Sequence, residues 1–311
     1  MKVVSVINYK GGVGKTSLTA NLAAELAFRG KRILVMDLDA QASLTFSFIK
    51  PDEWQNSFAS SKTIKTWFDE SDGGAQISLK DLCHKPERVN SALPHDSTLD
   101  IIPSHLGLIN VDLELATRLG GANLSQSKKN FISVHRMLAD GLDDIRATGL
   151  YDIVLIDCPP NFNIVTKTAI IASDYILVPT RPDELSTLGI DYLMRSIGEL
   201  LKDYNDYVKV VSNDSKDFDE ISPIVVGVVF TMVQEYAGEP MSAQKTYIKK
   251  LQTESDLAIF DSYIKRNDTV FAESPVYGVP VVLNSYSNVS HQSVVDGLEA
   301  VATEFLEKLG E

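Results

Sequence analysis

Short continuous apolar runs alternate along the chain with stretches in which apolar positions recur every three or four residues. The first run, Val3-Val4-Ser5-Val6-Ile7, predicts a strand covered on both faces. From Ser17 to Arg29 the leucines Leu18, Leu22 and Leu26 fall on one helical face, and Gly30 supplies the stop. Ile33-Leu34-Val35-Met36 then predicts a second buried strand that closes on Asp37-Leu38-Asp39. Strand, helix and strand form a βαβ unit with a right-handed crossover. A second unit is predicted from the strand Tyr151 to Asp157, a helix over 164–172 and a strand from Tyr175 to Pro179. Further strands are expected at 99–103, 224–230 and 257–264, and further helices over 108–119, 128–145, 185–204, 242–253 and 289–309.

Two stretches fit this rhythm less well. Between residues 44 and 98, Trp54, Phe58, Ile64, Trp67, Phe68 and Leu79 are scattered among polar residues, and Asp72-Gly73-Gly74 interrupts them. Short helices and loops, with one excursion at the sheet edge, are expected there. The polar stretch 211–220 is expected to be an exposed insertion. The whole pattern predicts an α/β fold: a single doubly wound, mostly parallel sheet with helices on both faces. One domain is expected over residues 1–311, with a variable insertion near 50–98 and an exposed loop near 205–222.

Composition alters this picture little. The 44% hydrophobic and 23% charged content is that of an ordinary globular chain. A formal net charge of -13 argues against a broadly basic surface but leaves room for a local basic patch. With Cys83 and Cys158 as the only cysteines, a disulfide framework is not expected and a reducing cytoplasm fits. No apolar run approaches the roughly 18 residues a membrane span needs, so no membrane association is expected.

The candidate chemistry lies between the first strand and the first helix, in Lys10-Gly11-Gly12-Val13-Gly14-Lys15-Thr16. Glycines let backbone N–H groups converge on phosphate oxygens, and the helix N-terminus adds the positive end of its dipole. Lys15 would reach the β and γ phosphates of ATP, and the Thr16 hydroxyl would ligate Mg²⁺. The ordinary P-loop pattern G-x-x-x-x-G-K-[ST] asks for glycine at position 9, where this chain has Tyr9, and it carries Lys10 next to it. Asp37, Asp39 and Asp157 end strands, and in an open parallel sheet ligands bind beyond those ends. Asp157 closes an apolar run, the form of a strand whose carboxylate holds Mg²⁺ through its water shell. The five histidines show no metal-ligand spacing, and no G-x-S-x-G nucleophile elbow occurs.

Lys10 to Thr16, Asp37-Leu-Asp-Ala-Gln41 and Ile156-Asp-Cys-Pro-Pro160 resemble the motifs of the deviant Walker A P-loop ATPases, and within them the ParA-type partition ATPases. Leu99-Asp-Ile-Ile-Pro-Ser104, Gly227 to Met232 and Phe271 to Pro280 agree with the same family. The resemblance implies ATP and Mg²⁺ as cofactors, and a homodimer with ATP sandwiched between subunits. It implies that Lys10 reaches the phosphates bound by the other subunit, that Asp39 positions the attacking water, and that Asp37 supports the Mg²⁺ shell with Thr16 and Asp157. The residues from Lys10 to Ser17 would hold the nucleotide, with Met232 and Arg266 near the adenine; Lys265 stands where the family usually has proline.

The family also binds DNA without sequence preference, and a ParB-like partner protein stimulates slow hydrolysis. Basic side chains facing phosphates suffice for such binding. Lys245, Lys249 and Lys250 fall on neighbouring faces of one predicted helix, and Lys202 and Lys250 fall near basic positions of the family pattern. The expected function is therefore plasmid or chromosome partition by a nucleoid-associated cytoplasmic ATPase. Alternatives on the same scaffold are positioning of another cargo, a MinD-like membrane-associated division-site ATPase, and a metal-cluster assembly ATPase. The acidic residues of the last helix argue against attachment to an anionic membrane, and no C-x-x-C pair occurs for a metal cluster. A repressor role is not expected, since the chain opens directly on its first strand.

Overall fold

The apolar runs are continuous because helices cover both faces of the sheet they build. The computed structural model describes residues 1–70, 77–211 and 218–311. The first unit comprises β1 (Lys2–Val6), α1 (Lys15–Phe28) and β2 (Arg32–Asp37). Short helices α2 (Ser43–Phe48), α3 (Pro51–Ser57), α4 (Ile64–Glu70) and α5 (Glu87–Asn90) precede β3 (Thr98–Ile102). Helices α6 (Leu108–Arg118) and α7 (Leu124–Thr148) lead into the second unit, β4 (Ile153–Asp157), α8 (Ile164–Ala172) and β5 (Tyr175–Thr180). Then come α9 (Glu184–Val211), β6 (Ile224–Val233), the hairpin β7 (Glu235–Tyr236) and β8 (Glu239–Pro240), and α10 (Ser242–Glu254). The chain closes with β9 (Ile259–Lys265), α11 (Asp268–Tyr277) and α12 (Val289–Leu309).

The main sheet runs β3-β2-β4-β1-β5-β6-β9, and all its strand pairs are parallel. The chain leaves β1 toward β2 on one side and crosses from β4 to β5 on the other. The crevice beyond the carboxyl end of β1 is thus the switch point at which such sheets bind ligands. Alternate residues serve the two faces. Val4 and Val6 pack with Leu22, Leu26 and Phe305 of α1 and α12, whereas Val3, Val154 and Ile156 pack with Leu138, Ile170 and Leu193 of α7, α8 and α9.

Both edges of the sheet are occupied. His84 exchanges two backbone hydrogen bonds with Ile101 on β3 (2.9 and 2.7 Å), and the Asn90 side chain bonds both backbone groups of Leu99. On β9, the N–H groups of Asp261 and Ser262 donate to the Glu304 carboxylate of α12 (3.1 and 3.0 Å).

The structure corrects several boundaries. Helix α9 extends to Val211, so residues 205–211 of the expected exposed loop are helical. The reason is that Val208 and Val211 continue the stripe of Leu193, Ile197, Leu200 and Tyr204, and both are buried. The remainder of that stretch at 212–217, like the expected break at Asp72-Gly73-Gly74, lies outside the described residues. Strand β6 runs three residues past Phe230, to Val233. Helix α7 begins earlier than its apolar pattern because Asn123 caps it, accepting from the N–H of Gln126. The hairpin and α11 have no counterpart in the expected elements, whereas α12 spans the expected 289–309.

Candidate functional site

Everything expected at the phosphate loop converges on the carboxyl end of β1. Gly12 and Gly14 take φ values of +68° and +74°, a region that L side chains occupy only with strain. Asn8, buried, steadies the loop from within: its Nδ2 donates to Pro179 O (2.8 Å) and its Oδ1 accepts from Lys10 N (2.9 Å). From the far side, the buried Thr231 hydroxyl donates to Val13 O at 2.6 Å. Neither Asn8 nor Thr231 stands out by type. Asn8 is signalled in the sequence only as a polar residue at the end of an apolar strand, and Thr231 also lies within the Gly227 to Met232 segment.

Lys15 opens α1 and is only 7% exposed, with Nζ 3.3 Å from Lys10 O. Burial lowers its pKa, and the charges of Asp157 and Asp39 oppose that shift. Asp157 Oδ2 accepts from Thr16 Oγ1 at 2.7 Å, and its Oδ1 lies 3.3 Å from Thr19 Oγ1. A hydroxyl beside a buried carboxylate is a donor set suited to a hard cation in its water shell. The structure itself supports that fit, because burial pushes the Asp157 carboxyl up to about 7: the charge it would carry lacks sufficient compensation from its own surroundings.

Asp37 is buried deeper still. Its Oδ2 accepts from the N–H and hydroxyl of Thr45 (both 2.8 Å) and its Oδ1 from Asp39 N (3.1 Å). Burial and the neighbouring Asp157 push it up to about 8, against those three donors. The structure therefore places Asp37 as the anchor of the turn that carries Asp39. Asp39 is half-buried, with its Oδ1 accepting from Gln41 N at 2.9 Å.

These two carboxylates make stability depend on pH in an unusual direction. Their folded pKa values lie above the unfolded value near ~3.9, so the folded chain holds protons that the unfolded chain has released. Stability is then highest below about pH 4, falls as pH rises toward 8, and levels off above that, as far as these two groups decide it. Thermal unfolding of the nucleotide-free protein should show a lower Tm at pH 8 than at pH 6, with a shallower slope in Asp157→Asn. A Tm that rises over that interval would contradict this assignment.

Lys10 does not turn into its own loop. Its Nζ donates to Asp183 (2.8 and 3.1 Å) and to Ser186 Oγ (2.9 Å), at the start of α9. Tyr9 fills the place of the usual glycine and packs its ring against Phe162 and Tyr192, with centroids 5.6 and 5.3 Å away. Asp183, Ser186 and Tyr192 were not anticipated, since nothing in their spacing connects α9 to the loop.

Met232 and Arg266, expected near the adenine, line a separate cavity of about 80 Å³ together with Gly14, Ser17 and Phe271. Met232 holds φ +54°, an uncommon backbone state for a residue with a side chain and one that gathers at ligand sites. Arg266 bonds Asp268 at 2.9 Å and Lys265 bonds Glu235 at 2.9 Å. The four lysines expected at DNA lie on two adjacent helices, Lys202 on α9 and Lys245, Lys249 and Lys250 on α10. Lys245 pairs with Glu239 and Lys250 lies 4.0 Å from Glu254, while Lys202 and Lys249 are exposed.

Comparison with known proteins bears on the family and the fold. A family model described as "AAA domain" matches residues 1–210. The chain is 29% identical over 283 residues to the chromosome partitioning protein ParA of Caulobacter vibrioides, covering 91% of this chain and 87% of that one. Among solved structures, the ATP complex of a McdA variant from Cyanothece superposes with a TM-score of 0.67 at 18% identity, over 100% of this chain and 96% of that one. Cobyrinic acid a,c-diamide synthase from Mycobacterium smegmatis, with a bound ATP analogue and magnesium, gives 0.61 at 19% identity, over 89% and 91%. At such identities the structural likeness is one of fold.

Proposed function

The chain belongs to the AAA-domain family of P-loop ATPases, in its ParA-type deviant Walker A branch, and from that premise we propose that it is an ATP-driven dimerising switch. ATP bound in the loop closes two subunits face to face; the dimer binds DNA nonspecifically through Lys202, Lys245, Lys249 and Lys250; a ParB-like partner stimulates slow hydrolysis and release. Its role is plasmid or chromosome partition, carried out in the nucleoid-associated cytoplasm.

The observation that carries this reading is the side chain of Lys10. It is committed to Asp183 and Ser186 on its own α9, so its charge is directed out of the loop that Lys15 serves. A phosphoryl group leaving ATP needs positive charge beyond that of Lys15. A second subunit facing the crevice supplies it by presenting its own Lys10. Thr16 and Asp157 would hold Mg²⁺, which would supply positive charge to the phosphates. Asp39 accepts a hydrogen bond from the attacking water and orients it. The backbone N–H groups from Gly11 to Thr16 take the phosphate oxygens, and Ser17, Met232 and Arg266 border the base.

The last helix supports this reading over a membrane-anchored one. Its apolar residues Val294, Val295, Leu298, Val301, Phe305 and Leu309 are all buried against the sheet and α1, so its apolar face is already occupied. Sedimentation and retention on nonspecific DNA, compared with ATP, with ADP and without nucleotide, test the proposal. The expected result is an ATP-dependent dimer that is retained on DNA. ATP leaving both association and DNA retention unchanged would overturn it.

A further inference from the structure

We propose that Ser104 is the positioning residue for Asp39, and that it ties the water-orienting turn to the insertion between β2 and β3. This rests on the reading above that Asp39 orients the attacking water. Ser104 follows β3, is fully buried, and bonds through three of its groups. Its hydroxyl donates to Asp39 O at 2.7 Å, and its N–H donates to the Thr45 hydroxyl at 2.9 Å. Its carbonyl accepts from the indole Nε1 of Trp54 on α3 at 3.0 Å.

The arrangement fixes both ends of the Asp39 peptide frame. Asp37 Oδ1 holds the Asp39 N–H at 3.1 Å, and Ser104 holds its carbonyl. The two anchors are themselves joined, because the Thr45 hydroxyl donates to Asp37 at 2.8 Å and accepts from Ser104 N. Asp39 Oδ1 is used within the turn by Gln41 N, which leaves Oδ2 without a hydrogen-bond partner among the described residues. A carboxylate on a half-exposed turn orients water well only if its main chain is held, since small displacements at the reacting centre are costly in rate. Ser104 supplies that hold from outside the nucleotide crevice, and Trp54 supports Ser104 in turn. Trp54 is itself only 6% exposed and packs edge-on against Phe46 of α2, so a shift of α3 is transmitted to the Asp39 turn.

Steady-state ATP hydrolysis by Ser104→Ala tests this. One buried hydrogen bond lost from a positioning group predicts a fall in kcat of about tenfold, with KM and equilibrium ATP affinity within about twofold of the parent. Ser104→Thr, which keeps the hydroxyl, should recover most of that loss. In an Asp39→Ala background the Ser104→Ala change should cost nothing further, because the group it positions is gone. The inference fails if Ser104→Ala weakens ATP binding as much as it slows turnover, or if it slows Asp39→Ala by the same factor. Should Ser104→Ala not fold, Trp54→Phe keeps the ring and removes the donor, with an expected loss of about threefold under the same criteria. A parent protein without ATPase activity counts against the functional reading; an active parent with an unimpaired Ser104→Ala counts against Ser104 alone.

Discussion

Mixing equal amounts of two inactive variants, Lys10→Ala and Asp39→Ala, is expected to restore ATP hydrolysis. Alone, Lys10→Ala should retain ATP binding through Lys15 and the loop amides and lose about a thousandfold in kcat, the scale of a cation supplied in trans to phosphoryl transfer. In a mixed dimer, the site on the Lys10→Ala subunit keeps its own Lys15 and Asp39 and receives Lys10 from the other subunit. Random pairing makes about half of the dimers mixed, each with one complete site of two, so about a quarter of the parent rate should return. If Lys10 instead acted on its own subunit's nucleotide, the mixed dimer would hold no complete site. No recovery on mixing would then refute the assignment in trans, as would full activity of Lys10→Ala by itself.

Asp39→Ala separates binding from chemistry. Asp39 touches neither the loop amides nor the cavity at Met232 and Arg266, so its removal should leave ATP affinity nearly unchanged. Loss of a group that orients the attacking water should lower kcat by about a hundredfold or more. The product-forming step is then blocked after the dimer has closed, and the variant should accumulate as an ATP-bound dimer on DNA. Sedimentation in ATP with a DNA-retention assay reads both. A monomeric Asp39→Ala that still binds ATP would show instead that the carboxylate is needed for closure.

Much of the sheet and all of the phosphate loop were legible in the sequence. The strands buried on two faces leave continuous apolar runs that cannot be placed on an exposed surface, and the glycines with Lys15 and Thr16 have few other uses in that order. Asp157 was legible because an acid ending such a run is costly unless something charged answers it. The end of α9 was not, because its last turn carries Lys209 and Val210 outward while only Val208 and Val211 face the core. The partners of Lys10 were also hidden. Asp183 lies 173 positions away in the chain, and only the order of strands brings the start of α9 beside the loop. Asp37 illustrates a subtler limit: its place beside Asp39 was legible, but its three hydrogen bonds to Thr45 and Asp39 N, which hold the turn, were not.

The occupied edges of the sheet limit how copies of this chain can associate. An open strand edge invites another chain to extend the sheet, which leads to indefinite growth by strand addition. Here His84 and Asn90 engage β3, and Glu304 takes two N–H groups of β9. Growth by adding strands is therefore blocked at both margins, and crowded copies of this chain are steered away from amyloid-like stacking.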